Sequence, residues 1–136
     1  MTDNVAPKIR SAIMARVRSK DTMPEMMVRK AVHAAGFRYR LHSAALPGRP
    51  DLVLPRFKVV VFVHGCFWHG HNCKRGARMP ATNRNYWLSK ILRNMVRDKR
   101  HRRMLRKLGW WVYVIWECKK EKGLAALLGG LRNLDH

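Results

Sequence analysis

Acidic residues are scarce in this chain: 8 Asp and Glu stand against 29 Lys and Arg, leaving a formal net charge of +21 over 136 residues. That excess is far beyond what solubility needs, so the expected partner is a polyanion, with nucleic acid the leading candidate and an acidic membrane surface the alternative. The cations run from Lys8 to Arg132 among aliphatic residues, which assigns the charge to the folded surface and not to a tail. Cysteine is scarce as well. Three is an odd number, which argues against a disulfide framework and leaves reduced thiols to explain. No apolar run approaches the length of a membrane span, and no charged-then-apolar leader is visible, so neither membrane insertion nor secretion is expected and the cytosol is the expected location. Repeats, low-complexity tracts and linkers are missing too. A chain of this length holds one domain with a real core.

What the chain does have is concentrated between Val59 and Cys73, in the run VVVFVHGCFWHGHNC. Val59 to Val63 are apolar and mostly β-branched, the pattern of a strand buried on both faces, and Gly65 then permits a sharp turn. Within a few residues follow His64, Cys66, His69, His71 and Cys73, with Phe67 and Trp68 between them. A strand that ends in a site is the simplest reading.

The remaining elements are placed around that strand. Ile9, Ala12, Ile13 and Val17 recur at helical spacing beside Arg10, Arg16 and Arg18, predicting a basic helix over about 8–18. Thr22-x-x-Glu25 has capping-box spacing and Pro24 suits a first turn, so a second helix is expected from Pro24 to Ala35, closed by Gly36. Phe37 to Leu41 alternates large apolar residues with Arg and is expected to form a half-buried strand. Leu46-Pro47-Gly48-Arg49-Pro50 cannot be helical and delivers Asp51 to the mouth of a short buried strand, Leu52 to Leu54. After a basic loop, Thr82 or Asn83 can cap a long cationic helix with an apolar stripe of Trp87, Leu88, Ile91, Leu92, Met95, Leu105 and Leu108, on which Asp98 is the sole acid. Gly109 ends it. Trp110 to Trp116 reads as a strand, Cys118 follows, and a closing helix is expected over about 121–134, weakened by Gly129-Gly130.

Two constellations carry chemistry. Cys66-x4-His71-x-Cys73, with Cys118 as the fourth member, supplies three thiolates and an imidazole, the donor set of a closed, structural zinc site. Asp51, His69 and Asp98 match what a magnesium-dependent phosphodiesterase requires: a carboxylate for the ion, a base for water, and a partner that orients the base. Each has a plainer alternative, since Asp51 can cap a turn, His69 can be a solvated loop residue, and Asp98 can pair with Arg102. Glu25 is accounted for by capping unless a neighbour claims it. Phe67 and Trp68 either meet nucleic-acid bases or cover the zinc site, and Trp87 either joins them or belongs to the core.

These residues closely resemble the very-short-patch repair (Vsr) endonucleases, bacterial nickases for T·G mismatches. The resemblance runs through Arg10-Ser11, Met14, Asp21-Thr22, Glu25, Leu46 to Asp51, Val63-His64-Gly65-Cys66-Phe67-Trp68-His69, His71, Cys73, Pro80-Ala81-Thr82, Trp87, Arg97-Asp98 and Trp116-Glu117-Cys118. It implies a restriction-endonuclease-like α/β fold, a mixed sheet flanked by helices, acting as a monomer on double-stranded DNA, with other mismatch-repair proteins as further partners. It also implies that Asp51 and the Val63 carbonyl bind Mg2+, that His69 with Asp98 activates water, and that His64 and Glu25 lie beside the scissile phosphate. Cys66, His71, Cys73 and Cys118 would hold Zn2+, while Phe67, Trp68 and Trp87, with Met14 from the other groove, would wedge the mismatch. Two positions depart from expectation. Phe62 and His64 stand where the wider nuclease superfamily has an acid and a lysine, and Val63 replaces the family's usual threonine. A zinc-stapled binding module without catalysis is the alternative function, and Asp51 argues against it, because a carboxylate has no place in a purely phosphate-binding surface.

Overall fold

The computed structural model describes residues 22–66, 69–73 and 82–135. The expected basic helix over 8–18, with Met14, and the aromatic pair Phe67 and Trp68 lie outside the described residues.

Helix α1, Met23–Ala34, starts as its capping signals require: Thr22 is the N-cap, its hydroxyl accepts the Glu25 N–H at 3.4 Å, and Pro24 sits in the first turn. Gly36, at φ 94°, lets the chain leave. The strand expected over Phe37 to Leu41 shrinks to β1, Arg40–Leu41, with both residues exposed at the sheet edge. Its sole neighbour explains this. Strand β2, Leu52–Leu54, is three residues long and offers at most one further partner to the preceding segment, so Phe37 reaches the core as a loop residue. A single 3-10 turn, Pro55–Phe57, and a left-handed Lys58 at φ 57° reverse the chain into β3, Val59–His64, which is buried along nearly its whole length as the apolar run predicts.

Helix α2, Arg84–Lys107, then carries the chain across to β4, Trp111–Trp116. The sheet order is β1-β2-β3-β4, antiparallel except for the β3/β4 pair, which runs parallel from Val59 opposite Trp111 to His64 opposite Trp116. Helix α3, Lys120–Leu134, closes the described chain. It passes through Gly129-Gly130 uninterrupted, and there is a packing reason: a Cβ on Gly130 would fall on the Tyr113 hydroxyl of β4. Glycine here permits close approach and does not break the helix.

Alternation along the strands sorts the core into two layers. Leu52, Leu54, Val59, Val61 and Ile115 face one way and pack with Val28 and Val32 of α1 and Leu127 and Leu131 of α3. Val53, Val60 and Phe62 face the other way, against Leu105 of α2. The result is an α/β sandwich, a mixed four-stranded sheet with helices on both faces. Half of the stripe expected on α2 stays outside. Trp87, Ile91 and Leu105 are buried, but Leu88, Leu92, Met95 and Leu108 are 44%, 50%, 41% and 57% exposed. A helix of 24 residues spans about 36 Å whereas a strand of six spans about 20 Å, so the sheet covers only part of it. Asn83 takes the N-cap position in a left-handed conformation without a side-chain bond to the helix, so the expected cap interaction is not formed by Asn83. No helix among the described residues is long and apolar enough to cross a membrane.

Candidate active site and metal cluster

Three groups of ligand-type side chains gather where β3 ends. Asp51 enters on the loop before β2, a segment turned by Gly48 at φ 78° and Arg49 at φ 47°. One carboxylate oxygen, Oδ2, accepts the Val63 backbone N–H at 2.6 Å, which ties the acid to the last turn of β3. Glu25 lies beside it and is only 3% exposed. The Glu25 carboxylate contacts Arg29 one helical turn on at 3.4 Å, and accepts from His42 Nε2 at 2.9 Å. His42 Nε2 is also 3.9 Å from Asp51 Oδ1. Burial, with Glu25 adding to it against the opposing Val63 bond, raises the Asp51 carboxyl from its ordinary 3.8 to about 7.

His64 and His69 form the second group. His64 continues the Val60 and Phe62 face of β3, the face turned toward α2, and α2 carries Asp98 in its middle. The rings of His64 and His69 are stacked at 3.7 Å with 2° between their planes. His69 Nδ1 lies 2.5 Å from Asp98 Oδ2. An ionised carboxylate can only accept, so the Nδ1 of His69 carries a hydrogen, which in a neutral ring leaves the lone pair on Nε2. Burial alone would raise Asp98, but its hydrogen bond to His69 and the charges of His69 and Arg97 outweigh this and hold it below its ordinary value. His64 is buried, its Nδ1 has no hydrogen-bond partner among the described residues, and burial together with the charge of His69 lowers it to about 3. It is therefore neutral throughout the working range.

Backbone geometry places these rings. The chain turns after β3 through Gly65 and returns at His69 and Gly70, whose φ is 63°. A Cβ at Gly70 would collide with Met95 and press on Ile91, so the loop rests directly on α2 and brings His69 level with Asp98. Asp98 does not take up the alternative pairing with Arg102.

The third group is Cys66, His71, Cys73 and Cys118, whose ligand atoms lie within 4.8 Å of one another. The donors come from the β3 loop and from the 3-10 turn Glu117–Lys119 after β4, and Cys118 Sγ is 3.4 Å from His71 Nδ1. Burial pushes the Cys66 thiol up to about 12, so without a cation it stays protonated. Three sulfurs and one imidazole converging in this way suit a soft, tetrahedral ion.

Every sequence-derived site residue that falls within the described chain therefore joins one of these groups, except Trp87. That ring is 4% exposed and packs edge-on against Tyr86, its centroid 5.0 Å away, in the core position that was the alternative to a DNA contact. Sequence reasoning missed two residues. His42 stands in a left-handed turn at φ 47°, and nothing local marks it as a partner of Glu25. Trp116 is expected as a strand residue and enters the family resemblance without a role; its ring stacks on His71 at 4.2 Å and meets His64 edge-on at 5.1 Å, joining the second and third groups.

Comparison with known proteins points one way. The family described as DNA mismatch endonuclease Vsr matches residues 2–75. The type II nicking enzyme V.XorIIP of Xanthomonas oryzae pv. oryzae is 47% identical over 134 residues, covering 98% of this chain and 97% of that protein. V.NmeAIP, a type II nicking enzyme of Neisseria meningitidis, is 45% identical over 88% of this chain and 84% of its own length. The DNA mismatch endonuclease Vsr of Escherichia coli is 41% identical over 80% of this chain and 69% of its own.

Proposed function

From the premise that the chain belongs to the DNA mismatch endonuclease Vsr family, we propose that it nicks one strand of duplex DNA beside the thymine of a T·G mismatch, using Mg2+. The observation that carries this reading is the meeting, at one strand end, of the Val63-held carboxylate of Asp51 with the His69–Asp98 pair. A purely binding surface with a charge of +21 gains nothing from burying acids there.

We assign the roles as follows. Asp51 and the Val63 carbonyl would hold Mg2+, whose charge would polarise the scissile phosphate. His69 takes a proton from the attacking water at Nε2, while Asp98 fixes the tautomer and stabilises the imidazolium that forms. His64, neutral and flat against His69, fixes the plane of that ring, and Glu25 completes the acid side of the site. Cys66, His71, Cys73 and Cys118 would hold Zn2+ in a closed structural site that fastens the active loop to the end of β4. Phe67, Trp68 and Met14 are assigned to the wedge at the mismatch. The sandwich is then of the restriction-endonuclease-like kind, a single domain acting as a monomer in the cytoplasm, with other mismatch-repair proteins as further partners.

The test is magnesium-titrated nicking of paired duplexes that differ only in a T·G or a T·A pair. One-strand cleavage confined to the T·G duplex is expected. Binding without cleavage would favour the zinc-stapled binding module, and equal cleavage of both duplexes would remove mismatch specificity.

A further inference from the structure

We propose that His42 supplies an imidazole nitrogen to the divalent ion held at Asp51, so that the catalytic metal site is of mixed nitrogen and oxygen character. The inference rests on the nuclease reading above and adds a ligand to it. Its starting point is the direction of the Asp51 oxygens: Oδ2 is taken by the Val63 N–H, and Oδ1 is the oxygen turned toward His42 Nε2, 3.9 Å away. On its other side the same Nε2 is 2.9 Å from Glu25 Oε2. Two ligands at right angles about an ion with bonds of about 2.1 Å stand about 3.0 Å apart, and two opposite ligands about 4.2 Å apart. The 3.9 Å separation falls within that range and the 2.9 Å one lies at its lower edge.

The backbone builds this arrangement deliberately. His42 adopts φ 47°, unusual for a residue with a side chain, and its own N–H donates to the Asp51 carbonyl at 3.1 Å, so the ring and the carboxylate are held in one register. The cluster is enclosed as well. Glu25 is buried, and the side chains of His42 and Asp51 are 12% and 23% exposed. Glu25, His42 and Asp51 each offer a ligand atom, and these atoms all lie within 4.8 Å of one another. An ion bound there would take the Asp51 carboxylate and the Nε2 lone pair of a neutral His42 whose single ring hydrogen sits on Nδ1. Imidazole favours transition ions over Mg2+, so Mn2+ should bind this site more tightly than Mg2+ does.

The experiment uses the full zinc-loaded chain with Mn2+ alone, which as a hard ion does not compete for the thiolate cluster. Electron spin echo modulation of bound Mn2+ should show a directly coordinated nitrogen, retained in His64→Gln and His69→Gln and lost in His42→Gln. Mn2+ affinity should fall at least ten-fold in His42→Gln, with Mg2+ affinity, from competition, falling less. Were His42→Gln to fail to fold, nitrogen coupling retained by the other two variants would still assign it to His42. Mn2+ bound by the wild type without nitrogen coupling, or coupling that persists in folded His42→Gln, overturns the role of His42 and leaves Asp51 in place. Mn2+ affinity unaffected by Asp51→Asn overturns instead the metal reading on which the inference rests.

Discussion

Replacing Asp51 by Asn should destroy nicking and at the same time stabilise the metal-free protein above neutral pH. The Asp51 carboxyl titrates near 7 in the folded chain against an ordinary 3.8, chiefly because it is buried. A raised folded pKa means that the folded state holds the proton more tightly than the unfolded state does. The stabilisation this gives is complete below pH 3.8 and is lost as pH rises through about 7. At about 1.4 kcal/mol per pH unit, the full penalty for ionising Asp51 approaches about 4 kcal/mol, an upper bound because the group is coupled to Glu25. Asparagine is isosteric, still accepts the Val63 N–H and carries no charge to bury. The melting temperature of Asp51→Asn should therefore exceed that of the wild type by a margin that grows between pH 5 and pH 8 and then levels off. At about 3 °C or more per kcal/mol in a domain of this size, the effect is several degrees. Thermal unfolding in magnesium-free buffer with zinc retained is the assay, and added Mg2+ should narrow the gap by stabilising only the wild type. A variant less stable than the wild type at pH 8, or a gap that does not change with pH, would refute the reasoning.

Three further outcomes are expected. Asp98→Asn should lower single-turnover nicking by two orders of magnitude or more while DNA affinity and fold persist, and His69→Ala should remove most of the activity with DNA binding retained; His64, already lowered to about 3, contributes no pH step at working pH. Cys118→Ala should release zinc, measured by metal analysis, and cost several degrees of melting temperature, because it removes the β4 side of the cluster. Trp68→Ala should reduce the affinity ratio of mismatched to matched duplex more than it reduces overall binding, and equal loss on both duplexes would make Trp68 a cover for the metal cluster.

How much could be read from residues alone depended on whether the signal was local. The Val59 to His64 strand and the ligands after it were legible because an unbroken apolar run passes straight into histidine and cysteine, and both features survive without knowing the fold. Cys118 could be assigned because it is the one remaining cysteine and follows a strand. Glu25 was only half legible: its spacing to Thr22 announces a cap, but its burial against His42, 17 positions away, is set by tertiary packing. His42 itself was invisible, since its role arises from a left-handed turn at a residue type that gives no warning of one. Periodicity along α2 overstated its buried face, because a stripe does not reveal how wide the sheet beneath it is. Trp116 looked like a strand residue, which it is; its contacts to His64 and His71 needed the parallel pairing of β3 and β4.

That parallel pairing also bears on the order in which the chain assembles. The β3 and β4 strands meet only after the whole of α2 has been looped out between them, and closing a loop of roughly 50 residues costs about 4 kcal/mol of chain entropy. The antiparallel β2/β3 hairpin, by contrast, is joined by a four-residue turn and can form early. An ion held by Cys66, His71 and Cys73 on the hairpin side and by Cys118 on the other would close the large loop chemically before the second strand has zipped. The cluster would thus act first on the kinetics of the chain, by shortening the search for β4, and only later as a clamp on the finished sheet.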